Sequence, residues 1–203
     1  MFVPKCLNWK YLFVSESNLI DPQPGYKGNE KGCLMFDNHM SALNFAISDG
    51  WELNENTPLD LHRFLTRGIP FFEDYGMSGK YRNIDVWIGH ESCPSPVVLN
   101  NLMNAWYKIT KHLMDQYLDK KDYRLSALEI AFISHHVFEV VHPFIDGNGR
   151  TGRLLVAKVL HDLGQEPVIV KFSDRHDYYQ TIQDFRDKYW TGTQFHFAEF
   201  YID

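Results

Sequence analysis

Hydrophobic positions along the chain fall mostly at helical spacing. Residues 1–36 carry no regular apolar stripe and read as irregular, with Asp21-Pro22-Gln23-Pro24-Gly25 a strong break. Asp37 is placed to cap a helix carrying Met40, Leu43 and Ile47 that ends near Asp49-Gly50. A second helical stretch runs from Leu59 to Leu65 and stops at Gly68-Ile69-Pro70. Ile84, Val86 and Ile88 alternate with Asp85 and Trp87, the period-2 pattern of a short strand. With Gly79 before it and Gly89, Pro94 and Pro96 after, the pattern predicts a hairpin. Helix resumes with Ser95 as cap and Pro96 as first residue, its face formed by Leu99, Leu102, Met103, Trp106, Ile109 and Leu113.

Ser126-x-x-Glu129 is a capping box and opens the next helix, whose predicted inner face includes Leu128, Ala131 and Phe132. Pro143 disfavours helical geometry at the residue before it, so this helix should stop just short of His142. Another helix begins at Gly147-Asn148, carries Leu154, Leu155, Val159, Leu160 and Leu163, and ends at Gly164. Ser173 is placed to cap a helix through Tyr179, Ile182 and Phe185, and the last ten residues suit a short helix on Phe197 and Tyr201. The prediction is an all-α fold with one short β-hairpin.

Length and composition narrow the class. At 203 residues with 44% hydrophobic and 23% charged positions, the chain has the makeup of one folded domain, 1–203. The net charge is −6 and no Lys/Arg run occurs, so a general nucleic-acid binder is not expected. Cys6, Cys33 and Cys93 form neither a CxxC pair nor a disulfide framework, which favours a reducing compartment. The apolar opening residues are interrupted by Lys5 and Lys10 and read as mature protein, and no run approaches the roughly 18 apolar residues of a membrane span. The expectation is a cytoplasmic protein that does not engage a membrane; delivery as an effector is compatible with it.

Candidate chemistry concentrates in His142-Pro143-Phe144-Ile145-Asp146-Gly147-Asn148-Gly149-Arg150-Thr151-Gly152-Arg153. A helix, a Gly-rich turn and a second helix make an anion site, because free N–H groups and the positive dipole end gather where the second helix starts. Gly147 and Gly149 let backbone approach a ligand. Arg150 and Arg153, three apart, share a face and suit a polyphosphate. Asp146 suits Mg²⁺, which takes one or two carboxylates plus substrate phosphates. His142 suits a general base, since imidazole titrates near ~6.5. Gly147-x-Gly149-x-x-Gly152 matches the dinucleotide fingerprint literally, but no strand precedes it. As a P-loop it lacks both the Lys and the hydroxyl that holds Mg²⁺. Taken singly, a Gly-rich turn, a lone His or two arginines on a helix is more often structural; their conjunction within one short segment is what points to a phosphate-and-hydroxyl site.

This segment resembles the signature of the Fic family, HPFx(D/E)GNGRxxR, at every specified position. Weaker similarity covers Asn38-His39, Ala42-Leu43, Gly79-Lys80-Tyr81-Arg82, Ile88-Gly89, Pro94, Pro96, His135 and Asp177-Tyr178-Tyr179. The resemblance implies a helical core over 37–203 and transfer of AMP from ATP to a Ser, Thr or Tyr hydroxyl of a target protein, releasing pyrophosphate. His142 would take the hydroxyl proton and Asp146 would hold Mg²⁺ between the α- and β-phosphates. Gly147, Asn148 and Gly149 would line the anion hole, Arg150 and Arg153 would grip the outer phosphates, and Tyr178 would line the base pocket or belong to the core. The hairpin, with Lys80, Tyr81, Arg82, Ile88 and Gly89, would be the flap that docks the target. Pro143 and Phe144 read as structural, and His135 and His136 as helix-packing residues. Transfer of UMP, phosphocholine or phosphate, and a catalytically quiet nucleotide-binding regulator, are the alternatives. The family's phosphorylating members carry lysine in place of Gly149.

Two departures from the family stand out. Many members carry a self-inhibitory (S/T)xxxE(G/N) helix whose Glu pairs with the second motif arginine. The nearest match lies in the 1–36 segment, Ser17 to Pro22, with the shorter Asp21 in place of Glu and Pro22 in place of Gly or Asn. It implies either a weakened brake on Arg153 or a plain capped turn. Arg186 stands where some members carry an Asn that reads adenine, so ATP is the default nucleotide. A homo-oligomer or an inhibitory partner is compatible with the family pattern.

Overall fold

The capping box at Ser126 forms as expected: Ser126 Oγ accepts from the Glu129 amide, and Glu129 accepts from the Ser126 amide at 2.7 Å. The helix it opens runs next to the one that follows it, and the chain between the two carries the Gly-rich turn. In a computed structural model that describes residues 8–20, 30–119 and 124–190, eight α-helices and one hairpin follow in the order α1 (Trp9–Ile20), α2 (Glu30–Ala46), α3 (Thr57–Thr66), α4 (Pro70–Asp74), β1 (Trp87–Ile88), β2 (Glu91–Ser92), α5 (Leu99–Leu118), α6 (Ala127–Val141), α7 (Asn148–Asp162) and α8 (Arg175–Tyr189). The mainly helical fold with one antiparallel hairpin is the one predicted.

The core is built on α7, which is buried nearly all round: Leu154, Leu155, Ala157 and Val159 are fully covered. Around it gather Leu43 of α2, Leu61 and Leu65 of α3, Trp106 and Leu113 of α5, and Ile130, Phe138 and Val141 of α6. A helix apolar on every side belongs at the centre of its domain, where neighbours on all sides can cover it. Trp106 anchors α5 to α6 by donating from Nε1 to the Ser134 carbonyl at 2.9 Å. Lys158, also fully buried on α7, donates to Asp162 and to the Trp51 carbonyl, so its charge is paired inside the protein. A smaller apolar cluster of Met35, Ile69 and Phe72, joined by Ile145, supports the turn before α7 from the side.

The N-terminal expectations are corrected. Residues 9–20 form α1, and α2 starts at Glu30, so Asp37 is an exposed mid-helix residue and not a cap. Both helices were hard to see because their inner faces contain polar residues, Ser17 and Asn18 on α1 and Asn38 and His39 on α2. The hairpin is shorter than the alternation suggests. Only Trp87↔Ser92 and Ile88↔Glu91 pair, and Ile84, Trp87 and Ile88 are exposed because no second layer covers them. Leu128 is exposed; the inner face of α6 is Ala127, Ile130, Ala131, Ser134, His135 and Phe138. Ser95 makes no side-chain cap and a 3-10 turn, Pro96–Val98, precedes α5. Ser173 sits inside a second such turn, its hydroxyl donating to Asp174. The expected C-terminal helix lies outside the described residues, as do Asp21 and Pro22. Among the described residues no helix is long and apolar enough to cross a membrane.

Candidate active site

His142 ends α6 in the left-handed conformation, φ 48° and ψ 61°, with its amide still donating to the Phe138 carbonyl at 2.9 Å. A non-glycine residue there is strained, and one before a proline doubly so. Its carbonyl is held from outside by Arg82 Nε at 2.8 Å, while the Arg82 amide donates to the Pro143 carbonyl at 2.9 Å. The remaining Arg82 donors bond the Ile84 and Pro94 carbonyls. Buried and committed to backbone, Arg82 is the bolt at the hairpin's root. Of the residues expected on the flap, Arg82 is thus one whose side chain braces the hairpin from within.

The turn after His142 is fastened in three ways. Asn148 exchanges both its amide groups with Phe144: Oδ1 accepts from the Phe144 amide and Nδ2 donates to the Phe144 carbonyl, each at 2.8 Å. The side chain expected to line an anion hole is therefore spent on the loop, and what Asn148 offers the cavity is backbone. Gly147 has φ 81°, which a side chain would strain. His62 of α3, which the sequence did not single out, accepts from the Gly79 amide at Nδ1 and lies 3.0 Å through Nε2 from the Asp146 carbonyl. Those partners fix the ring as the neutral Nε2–H tautomer. Burial, reinforced by the Arg150 charge, pushes its pKa down to about 3 against the pull of the Asp146 carbonyl.

Gly152 permits α6 and α7 to approach. A Cβ there would overlap Glu139 Oε1 and stand 2.6 Å from His135 Nδ1. His135 is fully buried; its pKa lies well below the ordinary value, chiefly from burial, with the His136 and Arg153 charges adding to the shift. His135 Nε2 meets the Tyr178 hydroxyl at 2.8 Å, and Arg153 Nη1 donates to the same hydroxyl at 3.2 Å. Arg153 also donates from Nε to Ser17 Oγ at 2.7 Å and from Nη2 to the Ser17 carbonyl at 2.9 Å, tying α7 to α1. Arg150 lies with Nη2 3.8 Å from Asp146 Oδ1.

His142, Asp146, Gly147, Asn148, Gly149, Arg150, Arg153 and Tyr178 all line one cavity of about 700 Å³, a size within the range of small-molecule sites. The first turn of α7, whose amides have no carbonyl one turn earlier to bond, lines it. Ile88 and Glu91 of the hairpin and Tyr179, Ile182, Gln183 and Arg186 of α8 line it as well. Of the expected flap residues, Ile88 reaches the cavity; Lys80 and Gly89 are exposed away from it, and Tyr81 packs on Phe144 with ring centroids 5.7 Å apart. Arg186, expected at the base, is ion-paired to Glu91 at 2.6 Å. His135 and His136 are packing residues as expected, the latter with its pKa lowered to about 4 by burial.

Asp146 is one-third exposed at the cavity wall, with Oδ1 accepting from the Gly147 amide at 2.6 Å. Among the described residues no group of three His, Cys, Asp or Glu could hold a metal. A lone carboxylate beside the first turn of a helix fits a hard ion such as Mg²⁺, which completes its shell with water and phosphate oxygens. It does not fit a closed cage of protein ligands.

Helices that bring a strained histidine, the first turn of α7, two buried arginines and one carboxylate to a single cavity define a helical domain of the Fic type. The Fic/DOC family model matches residues 52–160, and the chain belongs to that family. It is 41% identical over 103 residues to a protein adenylyltransferase Fic of Nematostella vectensis, covering 51% of this chain and 22% of that one. It is 32% identical over 125 residues to a protein of the same name from Aedes aegypti, covering 62% and 23%. The chain thus spans less than a quarter of the length of these two relatives. In fold it is similar to a Fic-domain-containing signalling protein of Bacteroides thetaiotaomicron, with a TM-score of 0.73 and 22% identity over 89% of this chain and 73% of that one.

Proposed function

We propose that the chain transfers AMP from ATP to a hydroxyl of a target protein. The observation that carries the proposal is the convergence of His142 with the α7 helix end, Asp146, Arg150 and Arg153 on one cavity. The target oxygen attacks the α-phosphorus, the bond from that phosphorus to the bridging oxygen breaks, and pyrophosphate leaves. His142 takes the hydroxyl proton as the oxygen attacks. The α7 amides and Arg150 stabilise charge on the phosphate oxygens, and positioning supplies most of the rate. Asp146 is the residue that would hold Mg²⁺, which when bound neutralises phosphate charge. The relatives named for adenylyl transfer support this reading.

The target runs along the hairpin, whose exposed Trp87 and Ile88 offer apolar contact. Arg153 is committed to Ser17, which favours a restrained resting state. Ser17 of α1 is the residue through which the N-terminal segment acts on the second motif arginine.

Incubation with Mg²⁺ and α- or γ-labelled ATP tests the proposal. Incorporation of α label into protein, lost in His142→Ala with the fold retained, is expected. Incorporation of γ label would mean phosphate transfer, neither label a quiet binder, and labelling by His142→Ala would remove the histidine from the mechanism.

A further inference from the structure

The hairpin has two paired residues per strand and exposes both, so it cannot hold its own position; even full-length isolated hairpins are marginal in water. Arg82 bolts its root. Its far strand is held by α8. Glu91 uses both carboxylate oxygens there: Oε2 lies 2.6 Å from Arg186 Nε, and Oε1 accepts from Gln183 Nε2 at 3.0 Å. Arg186 Nη2 donates to the Ser92 carbonyl at 2.8 Å, and Gln183 is itself oriented by Asp187. The Arg186 side chain is only 10% exposed, against 45% for Glu91. A guanidinium so far removed from water depends on its protein acceptors, and all those named here belong to the hairpin.

The same residues form a wall of the cavity, Ile88 and Glu91 from one side and Tyr179, Ile182, Gln183 and Arg186 from the other. We infer that Glu91, Gln183 and Arg186 form a clasp that makes the hairpin and α8 one unit, so that Glu91 and Arg186 are positioning residues coupling target docking to nucleotide binding. This rests on the proposed reading of the cavity as the nucleotide site. A segment that docks along the hairpin shifts Glu91 and, through Arg186, the wall that ATP touches. By linkage, ATP against that wall steadies the hairpin by the same factor.

The sign of one substitution separates the clasp from a bystander. If Glu91 merely lined the cavity, removing its negative charge would tighten binding of a polyphosphate. If it holds the wall, Glu91→Ala weakens Mg·ATP binding by roughly tenfold, within the usual range for coupled neighbours. In the double variant with Arg186→Ala, the Glu91 substitution adds nothing, since it acts through the arginine. Hydrogen exchange gives a second readout without nucleotide: the Cys93 amide, bonded to the Val86 carbonyl, should lose protection in Glu91→Ala by more than the core amides of α6 and α7 lose. Calorimetric titration with Mg·ATP and exchange of residues 84–93 make the measurement. Unchanged protection, tighter ATP binding, or additive effects in the double variant would overturn the clasp. Wild type that binds no Mg·ATP would instead refute the proposed function, and the coupling with it, whatever the exchange shows.

Discussion

His62 lies flat on Phe144, ring centroids 3.8 Å apart and planes within 7°. The stack joins α3 to the turn that carries Asp146, and the ring's two nitrogens bridge that turn to Gly79 at the hairpin's base. One neutral imidazole thus sets the spacing between the turn that carries Asp146 and the base of the hairpin.

That arrangement should make the protein acid-sensitive. In the unfolded chain histidines take up protons near pH 6.5, whereas folded His62 resists down to about 3, and His39, His135 and His136 are also depressed by burial. Between those limits the unfolded state binds more protons, so stability falls as pH falls, by about 1.4 kcal/mol per histidine for each unit below ~6. Urea unfolding at pH 7, 6 and 5 should show the decline, and His62→Asn should remove close to one proton of it. A variant with the wild-type slope would mean that the ring titrates normally.

Gly152→Ala should cost about 1–3 kcal/mol, the range for an overpacked interior, because the new methyl overlaps Glu139 and crowds His135. Thermal unfolding measures it. A variant as stable as wild type would show that the α6–α7 contact has slack.

Asn148→Asp keeps the acceptor for the Phe144 amide but turns a second oxygen toward the Phe144 carbonyl. Loss of that buried bond should destabilise by roughly 1–3 kcal/mol. The added charge at the helix end should also weaken Mg·ATP in a calorimetric titration. Unaltered stability would mean the loop is fixed by other groups.

Ser17→Ala removes the acceptor of Arg153 Nε and leaves the carbonyl bond in place. A stability loss of about 1 kcal/mol is expected, together with faster transfer of α label as the guanidinium turns to the cavity. An equal or slower rate would count against restraint by α1.

What the sequence revealed, and what it hid, follows from how each residue signals. The twelve-residue segment is contiguous and rich in special residues, so the turn, both flanking helices and the residues that gather at the cavity could be read directly. The Ser126 capping box and Pro143 fixed the ends of α6 because each acts within a few residues. α1 escaped notice because Ser17 and Asn18 face inward to serve Arg153 and His39, and inward polar residues erase the apolar stripe. His62 is a solitary histidine 80 residues upstream of His142; nothing local marks it. The family pattern places Arg82 on the flap and Arg186 at the base-reading position, and neither placement tells what each guanidinium bonds. Only three-dimensional neighbours reveal that backbone carbonyls and Glu91 already occupy them.

The bolt formed by Arg82 means the signature is not portable. Grafting the twelve letters from His142 to Arg153 onto another pair of helices would import the imidazole but leave behind the distant guanidinium that braces its unfavourable backbone. The recipient would let that residue relax toward an extended shape, and the side chain would swing out of register with the first turn of the following helix.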